Sequence, residues 1–268
     1  MSQVTARRRP SWRNFVGRIL AGLSSAGISP QRALTLRFLP RYLAQRRRFA
    51  RLGGRIDHTY AILEDYRAQA GSTRGHYFHQ DLLVASAIHD ARPVRHVYVG
   101  SRIDGFIAHV ASFRKVEVID IRPLSDAQPH PNISFVQGDL MEMDGNEWEG
   151  VTDSLSCLHA LEHFGLGRYG DALDPRGHLK GFLNLHRLLK PGGTLYLSFP
   201  IKSGPTEIYF NAHRVFDATE PLAWSRGLFE LSRFDFIDDH GGPHTDTSIS
   251  VLPADTQYAC GIYTLRKL

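Results

Sequence analysis

Residues 96–120, HVYVGSRIDGFIAHVASFRKVEVID, decide the reading of this chain. Val97 and Val99 alternate toward Gly100. Ile103, Phe106, Ile107, Val110 and Ala111 then recur at helical spacing, and VEVID returns to a strand. The pattern is strand, glycine turn, amphipathic helix and second strand ending in a carboxylate. Gly100 lets the backbone pass close to a ligand, and the helix after it offers unpaired amide donors. Asp120, twenty residues beyond Gly100, ends the second strand where a ribose diol would find an acceptor. The glycine spacing is partial: in Gly100-Ser101-Arg102-Ile103-Asp104-Gly105, Arg102 holds the place of the middle glycine. The plain alternative is a buried βαβ unit whose Gly100 makes a turn and whose Asp120 caps a helix.

Outward from this stretch, strands alternate with helices. SFVQGDL (134–140) reads as a third strand ending at Asp139, and VTDSLSCLHALEHFG (151–165) as a fourth strand entering a short helical turn. Residues 177–190 form an amphipathic helix through Leu179, Phe182, Leu183, Leu185, Leu188 and Leu189. Pro191-Gly192-Gly193 stops it before the apolar strand TLYLSFP. Residues 234–237 and 258–265 read as two more strands, with a helix at 221–231 before them. On the N-terminal side, helices are expected at 57–67 and 80–89.

Charge is divided unevenly. Residues 1–56 hold thirteen arginines and no acidic residue, so a chain of net charge +5 leaves −8 on the other 212 residues. This is an acidic body with a basic arm. The arm mixes Arg with Trp12, Phe15, Phe38, Leu39, Tyr42 and Phe49, which suits a helix on an anionic lipid surface. A solvated basic helix packing its aromatic side on the body fits equally well. Nucleic acid is not the expected partner, because the acidic body is a poor surface for tracking phosphates. No apolar run reaches the roughly 18–20 residues that span a bilayer. Cys157 and Cys260 each sit in an apolar strand-like run, which speaks for packing in a reducing compartment rather than for a disulfide. The expected location is cytoplasmic, peripheral at the inner face of the membrane.

In order of parts the chain resembles a class I S-adenosylmethionine-dependent methyltransferase. Gly138-Asp139-Leu140 sits where those enzymes hold the adenine amino group, and Leu189-Lys190-Pro191-Gly192-Gly193 resembles their turn into strand five. More narrowly, GHYFHQDLLVA (75–85), VGSRIDGFIAHVASF (99–113), SLSCLHALEHFGLGRYGD (154–171), DPRGHLKGFLNL (174–185) and FNAHRVF (210–216) are similar to the methyltransferase-like domain-of-unknown-function family 268. The resemblance implies a Rossmann-like α/β fold. Its mostly parallel seven-stranded sheet would carry an antiparallel C-terminal strand, with a basic helical arm at residues 1–75 and a catalytic domain at 76–268.

The resemblance further implies S-adenosylmethionine as cofactor and a sugar or surface-glycan intermediate as substrate. The cofactor contacts would come from Gly100, Ser101, Arg102, Asp104, Asp120, Ile121, Asp139, Leu140 and His159. Two departures stand out: Tyr98 replaces the acidic residue usual before the first glycine, and Arg102 and Asp104 stand at later glycine places. Arg102 could reach the cofactor's carboxylate, or pair with Asp104 or Asp120.

Chemistry concentrates after strand four. His159-Ala-Leu-Glu162-His163 matches the H-x-x-E-H pattern of some zinc peptidases, but Gly165 interrupts the helix such a site needs. Methyl transfer to a sugar hydroxyl calls for a base, for which His163, His178 and His213 are candidates. Asp171 and Asp174 with one histidine could instead hold a divalent metal on two sugar hydroxyls. Asp174 could equally cap the helix that follows. Two further readings stay open: a methyltransferase-like scaffold without catalysis that serves glycan assembly, and a nicotinamide-dependent reductase.

Overall fold

The structure, a computed structural model, describes residues 34–100, 103–125, 130–143 and 145–268. The chain divides into two compact units, Met1–Ser72 and Thr73–Leu268. In the first, helix α1 (Leu39–Arg51) has Pro40 in its first turn and buries none of its residues. The helix expected at 57–67 reduces to a 3-10 turn, Glu64–Arg67. Leu63 is the one buried side chain of that stretch, so a longer helix would have no apolar face to bury.

The second unit is built on a sheet with the order β3-β2-β1-β4-β5-β10-β8-β9. Its strands are β1 (His96–Val99), β2 (Val116–Asp120), β3 (Ile133–Gln137), β4 (Thr152–Leu158), β5 (Leu189–Lys202), β8 (Phe229–Ile237), β9 (Pro243–His244) and β10 (Ala259–Lys267). The pairs β1–β2, β2–β3, β1–β4 and β4–β5 are parallel, and β10 runs antiparallel to both β5 and β8. The expected mostly parallel frame with an antiparallel C-terminal strand is therefore present, within a sheet of ten strands rather than seven. A small hairpin, β6 (Glu207–Tyr209) and β7 (His213–Asp217), joins the end of β5 and was not expected.

Side-chain alternation along the strands builds two cores. Val97, Val99, Leu155, Cys157, Leu195 and Leu197 point to one face, where helix α4 (Gly177–Leu188) buries Phe182, Leu185 and Leu188. Tyr98, Val118, Leu158 and Ile262 point to the other, covered by Val84, Ala85 and Ile88 of helix α2 (His76–Ala91) and by Val110 and Ala111 of helix α3 (Ala108–Ala111). Helix α2 begins at His76, four residues before the expected start, and the added turn buries none of its residues.

Three local departures have physical causes. The helix expected from Ile103 is regular only from Ala108, because Gly105 (φ −112°, ψ −114°) breaks helical geometry inside a wide turn at Ile103–Ile107. Lys190–Gly193 makes a bulge inside β5: Leu189 pairs with Thr152 and Thr194 with Ser154, with Gly192 at φ +74°. The helix expected at 221–231 is only α5 (Glu220–Ser225), since from Phe229 the backbone pairs with β10.

At the base of β1, buried His96 bridges two hydroxyls of β4. Its Nδ1 lies 2.8 Å from Ser154 Oγ and its Nε2 3.0 Å from Ser156 Oγ. Burial, with the Arg114 charge adding to it, lowers this imidazole from 6.5 to about 3.

Candidate active site

A cavity of about 690 Å³ opens where β1, β2 and β4 end. It lies where the strand order reverses between β1 and β4, the place at which doubly wound sheets bind ligands. Gly100, Asp120, Ile121, Asp139, Leu140, His159, His163 and His213 all line it. Ser101 and Arg102 lie outside the described residues, as does the side chain of Asp104.

Gly100 leaves β1 at φ +79°, and a Cβ there would stand 2.5 Å from the Cβ of Ala160. Only glycine lets the two loops come this close. Its amide donates to the Ile119 carbonyl (2.8 Å). Asp120, 7% exposed, is clasped by the residue two positions on. Its Oδ1 accepts from the Arg122 amide (2.8 Å) and Nε (2.9 Å), and its Oδ2 from Nη2 (2.7 Å). The Arg122 guanidinium also lies 4.6 Å from the centre of the Tyr169 ring. Asp139 uses Oδ1 to cap the 3-10 turn Leu140–Glu142 through the Met141 amide (2.8 Å), and burial raises its pKa.

After β4 the chain turns abruptly. His159 takes φ +47°, its amide donates to the Ser198 carbonyl (2.9 Å), and a 3-10 turn follows at Leu161–His163. The expected short helical turn is therefore there, but the two histidines do not share one metal-binding helix face. Buried Glu162 stands between them, its Oε1 3.1 Å from His159 Nδ1 and 3.6 Å from His163 Nε2. Burial opposes charge on His159, but Cys260 and Glu162 outweigh it and hold its pKa well above the ordinary value.

His163 donates from Nδ1 to the Ala212 carbonyl (2.6 Å). Burial lowers its pKa, and that of His213 beside it, with ring centroids 6.4 Å apart. Both are thereby favoured as neutral imidazoles at neutral pH. Tyr258 lines the same wall, its phenol pushed up to about 12 by burial and so kept protonated.

His178 is not part of this convergence and does not line the cavity. The register of α4 turns its ring against Phe216 and Trp224 (5.5 Å each), and burial, with Arg214, lowers it to about 4. Nor do Asp171 and Asp174 converge on a metal. Asp171 accepts amides from Gly165, Gly167 and Tyr169, while Asp174 accepts the Arg176 amide and pairs with Lys180 at 2.6 Å. Both carboxylates are loop fasteners, the commoner duty of such residues. Among the described residues the group able to hold a metal ion is His76, His159 and Cys260.

Two contributors escaped sequence reasoning. Asp81, on α2, lines the cavity beside Gly105, accepts from Gln80 Nε2 (3.0 Å) and has its pKa raised by burial. The available signal was a carboxylate beside the apolar face of Val84, Ala85 and Ile88. Arg214, 1% exposed, donates to the carbonyls of Glu162 (3.3 Å), Phe164 (2.7 Å) and Pro175 (3.3 Å). It fixes the loop that carries Glu162 and His163, and FNAHRVF offers no local hint of that reach.

Among solved structures, the chain is similar to a candidate sarcosine dimethylglycine methyltransferase from Galdieria sulphuraria. They share 15% identity over 82% of this chain and 97% of that one, with a TM-score of 0.51. It is also similar to the [4+2]-cyclase SpnF, at 16% identity over 81% and 90% and a TM-score of 0.50. The N-methyltransferase NodS from Bradyrhizobium japonicum, in complex with S-adenosylhomocysteine, aligns at 13% identity over 70% and 85%, with a TM-score of 0.48. At such identities the likeness is one of fold, and the fold hosts more than one chemistry. No curated protein matches the chain by sequence. Residues 131–244 match the family model described as "Caenorhabditis protein of unknown function, DUF268". The chain thus fits the DUF268 family over that segment, on a Rossmann-like fold shared with class I methyltransferases.

Proposed function

We propose that the cavity binds S-adenosylmethionine and that the protein methylates an oxygen of a sugar or surface-glycan intermediate. One observation carries the reading: Gly100, Asp120 and Asp139 line a single cavity from the ends of three adjacent parallel strands or their following turns. The residues fit the cofactor in kind. Gly100 keeps clear the space a Cβ would fill, and Asp120 offers a carboxylate for a ribose diol once Arg122 yields it. Asp139 and Leu140 flank the place of an adenine. Asp81 supplies the carboxylate that Tyr98 does not, for the amino group of the methionine part. The cofactor provides a methyl carbon bound to a positively charged sulfur, open to attack by an acceptor oxygen. His213 takes the proton that this oxygen loses, at an imidazole that burial keeps neutral. His163, anchored on Ala212, orients the wall beside it.

The arginines of α1 suit an anionic membrane on which the glycan intermediate is carried. Co-sedimentation with phosphatidylserine-containing vesicles, and none with neutral ones, is the expected result; equal behaviour on both would dismiss the membrane role. Among the described residues no helix is long and apolar enough to cross a membrane.

Calorimetric titration of S-adenosylmethionine and S-adenosylhomocysteine into the full chain tests the core of the proposal, with NADH as control. Asp120→Ala removes charged acceptors whose hydrogen bonds are worth about 1.5–3 kcal/mol each, so affinity should drop roughly ten- to hundredfold or more. Folded protein that binds neither adenosyl compound refutes the reading. A non-catalytic scaffold in glycan assembly then remains, or a reductase if NADH binds.

A further inference from the structure

His76 opens α2, His159 follows β4 and Cys260 is the second residue of β10. These three distant points of the chain bring one ligand atom each to within 4.8 Å of one another. His159 is 7% exposed and Cys260 fully buried. The imidazole of His159 is prepared in a specific way: Nδ1 is held by Glu162 Oε1 at 3.1 Å, whereas Nε2 is buried and has no oxygen or nitrogen partner, facing only the Cys260 sulfur. A metal at Nε2 would displace the proton that Cys260 and Glu162 favour on this imidazole, and Glu162 would keep the remaining N–H on Nδ1, the arrangement found behind most metal-binding histidines. The His76 ring stacks on that of His159 (centroids 5.5 Å, 16°) and hydrogen-bonds the Tyr258 backbone, so it too is oriented.

We propose that His76, His159 and Cys260 form a binding site for a divalent cation of borderline softness, zinc by the chemistry of its donors. Two imidazoles and one thiolate are the donor set of tetrahedral zinc, and hard oxygen-seeking ions are disfavoured by the sulfur. With metal–nitrogen bonds of about 2.0–2.1 Å and metal–sulfur bonds of about 2.3 Å, tetrahedral donors lie roughly 3.4–3.7 Å apart. From separations of up to 4.8 Å, the three groups therefore need to close by up to about 1.4 Å. Cys260, whose thiol lies 3.6 Å from Gln80 Oε1, forms its metal–sulfur bond with release of its proton to solvent. Three protein ligands leave a fourth position for water or for a ligand in the cavity that His159 lines. This site is distinct in residues and in chemistry from the pair Asp171 and Asp174.

The test uses the full chain, without a polyhistidine tag, stripped of metal and titrated with cobalt(II) followed by zinc. The expected result is one cobalt per chain with thiolate-to-cobalt charge-transfer absorption, abolished by zinc. Cys260→Ser should lose the charge-transfer band. His76→Ala, at a partly exposed residue where the fold is not at stake, should weaken cobalt binding at least tenfold. Absence of the band in folded wild-type protein overturns the site, as does a band and affinity unchanged in His76→Ala. Neither readout involves methyl transfer, so failure here and failure of S-adenosylmethionine binding are separate results.

Discussion

Replacing His96 by Gln should flatten the loss of stability that the protein suffers on acidification. In the folded protein this imidazole is 1% exposed, bridges Ser154 and Ser156, and titrates near 3 instead of 6.5. In the unfolded chain it takes up its proton at the ordinary value. Its neutral form is thus favoured by folding: the contribution is fully present above pH 6.5 and is lost progressively as pH falls toward 3. At pH 5 the unfolded chain has bound the proton and the folded one has not, a span of 1.5 units below 6.5, worth about 2 kcal/mol at about 1.36 kcal/mol per unit. The figure is set by the unfolded value as long as the folded one stays below about 4. His76 and His178, each lowered to about 4, add to the total slope but cancel in the comparison of variant with wild type. The assay is urea unfolding at pH 7.5 and pH 5, read by tryptophan fluorescence. His96→Gln will be less stable at both pH values, yet its loss between them should be about 2 kcal/mol smaller than that of the wild type. Equal losses would show that His96 ionises within the fold, and the picture of a dry hydroxyl-bridging imidazole would be wrong.

Gly165→Ala should cost at least about 2 kcal/mol in thermal or chemical unfolding, because φ is +77° there and a Cβ would stand 2.0 Å from the Asp174 carbonyl oxygen. An unchanged melting temperature would contradict the loop geometry. Arg214→Lys keeps the charge but not the planar fork, and should lose about 1.5–3 kcal/mol. Amides of residues 161–166 should then exchange faster with solvent while those of β1 and β2 do not; uniform exchange across the unit would deny Arg214 its local role.

The parallel half of the sheet was readable because its strands are apolar runs, with β1 punctuated by Gly100 and β2 by Asp120. Gly100 and Asp120 therefore fell where they were expected, whereas β3 stops at Gln137 and Asp139 caps the turn after it instead of ending the strand. Residues 226–231 were not readable: RGLFEL suits a helix as well as a strand, and long-range pairing with β10 decides. The histidines illustrate a similar limit. His163 and His213 line the cavity and His178 does not, because the register of α4 and the aromatic wall of Phe216 and Trp224 fix its direction. Density of polar residues pointed to the right loop, but Asp171 and Asp174 turned out to fasten backbone, as one-residue-type reasoning cannot foresee. The partners of Cys260 were invisible for another reason: His76 and His159 lie more than a hundred and eighty and a hundred residues away, respectively.

The clasp of Arg122 on Asp120 means that any ligand using this carboxylate would compete with the chain's own guanidinium. Two of the three hydrogen bonds on this carboxylate come from the guanidinium and stand in a diol's way, while the third, from the Arg122 amide, can stay. A clasp closed about 99% of the time would discount intrinsic affinity about a hundredfold. The Arg122 side chain is 36% exposed but Asp120 only 7%, and at contact distance dissolved salt screens such a pair little. Raising ionic strength therefore does not free the carboxylate, and a diol would gain entry only by offering Asp120 better hydrogen bonds than Arg122 does.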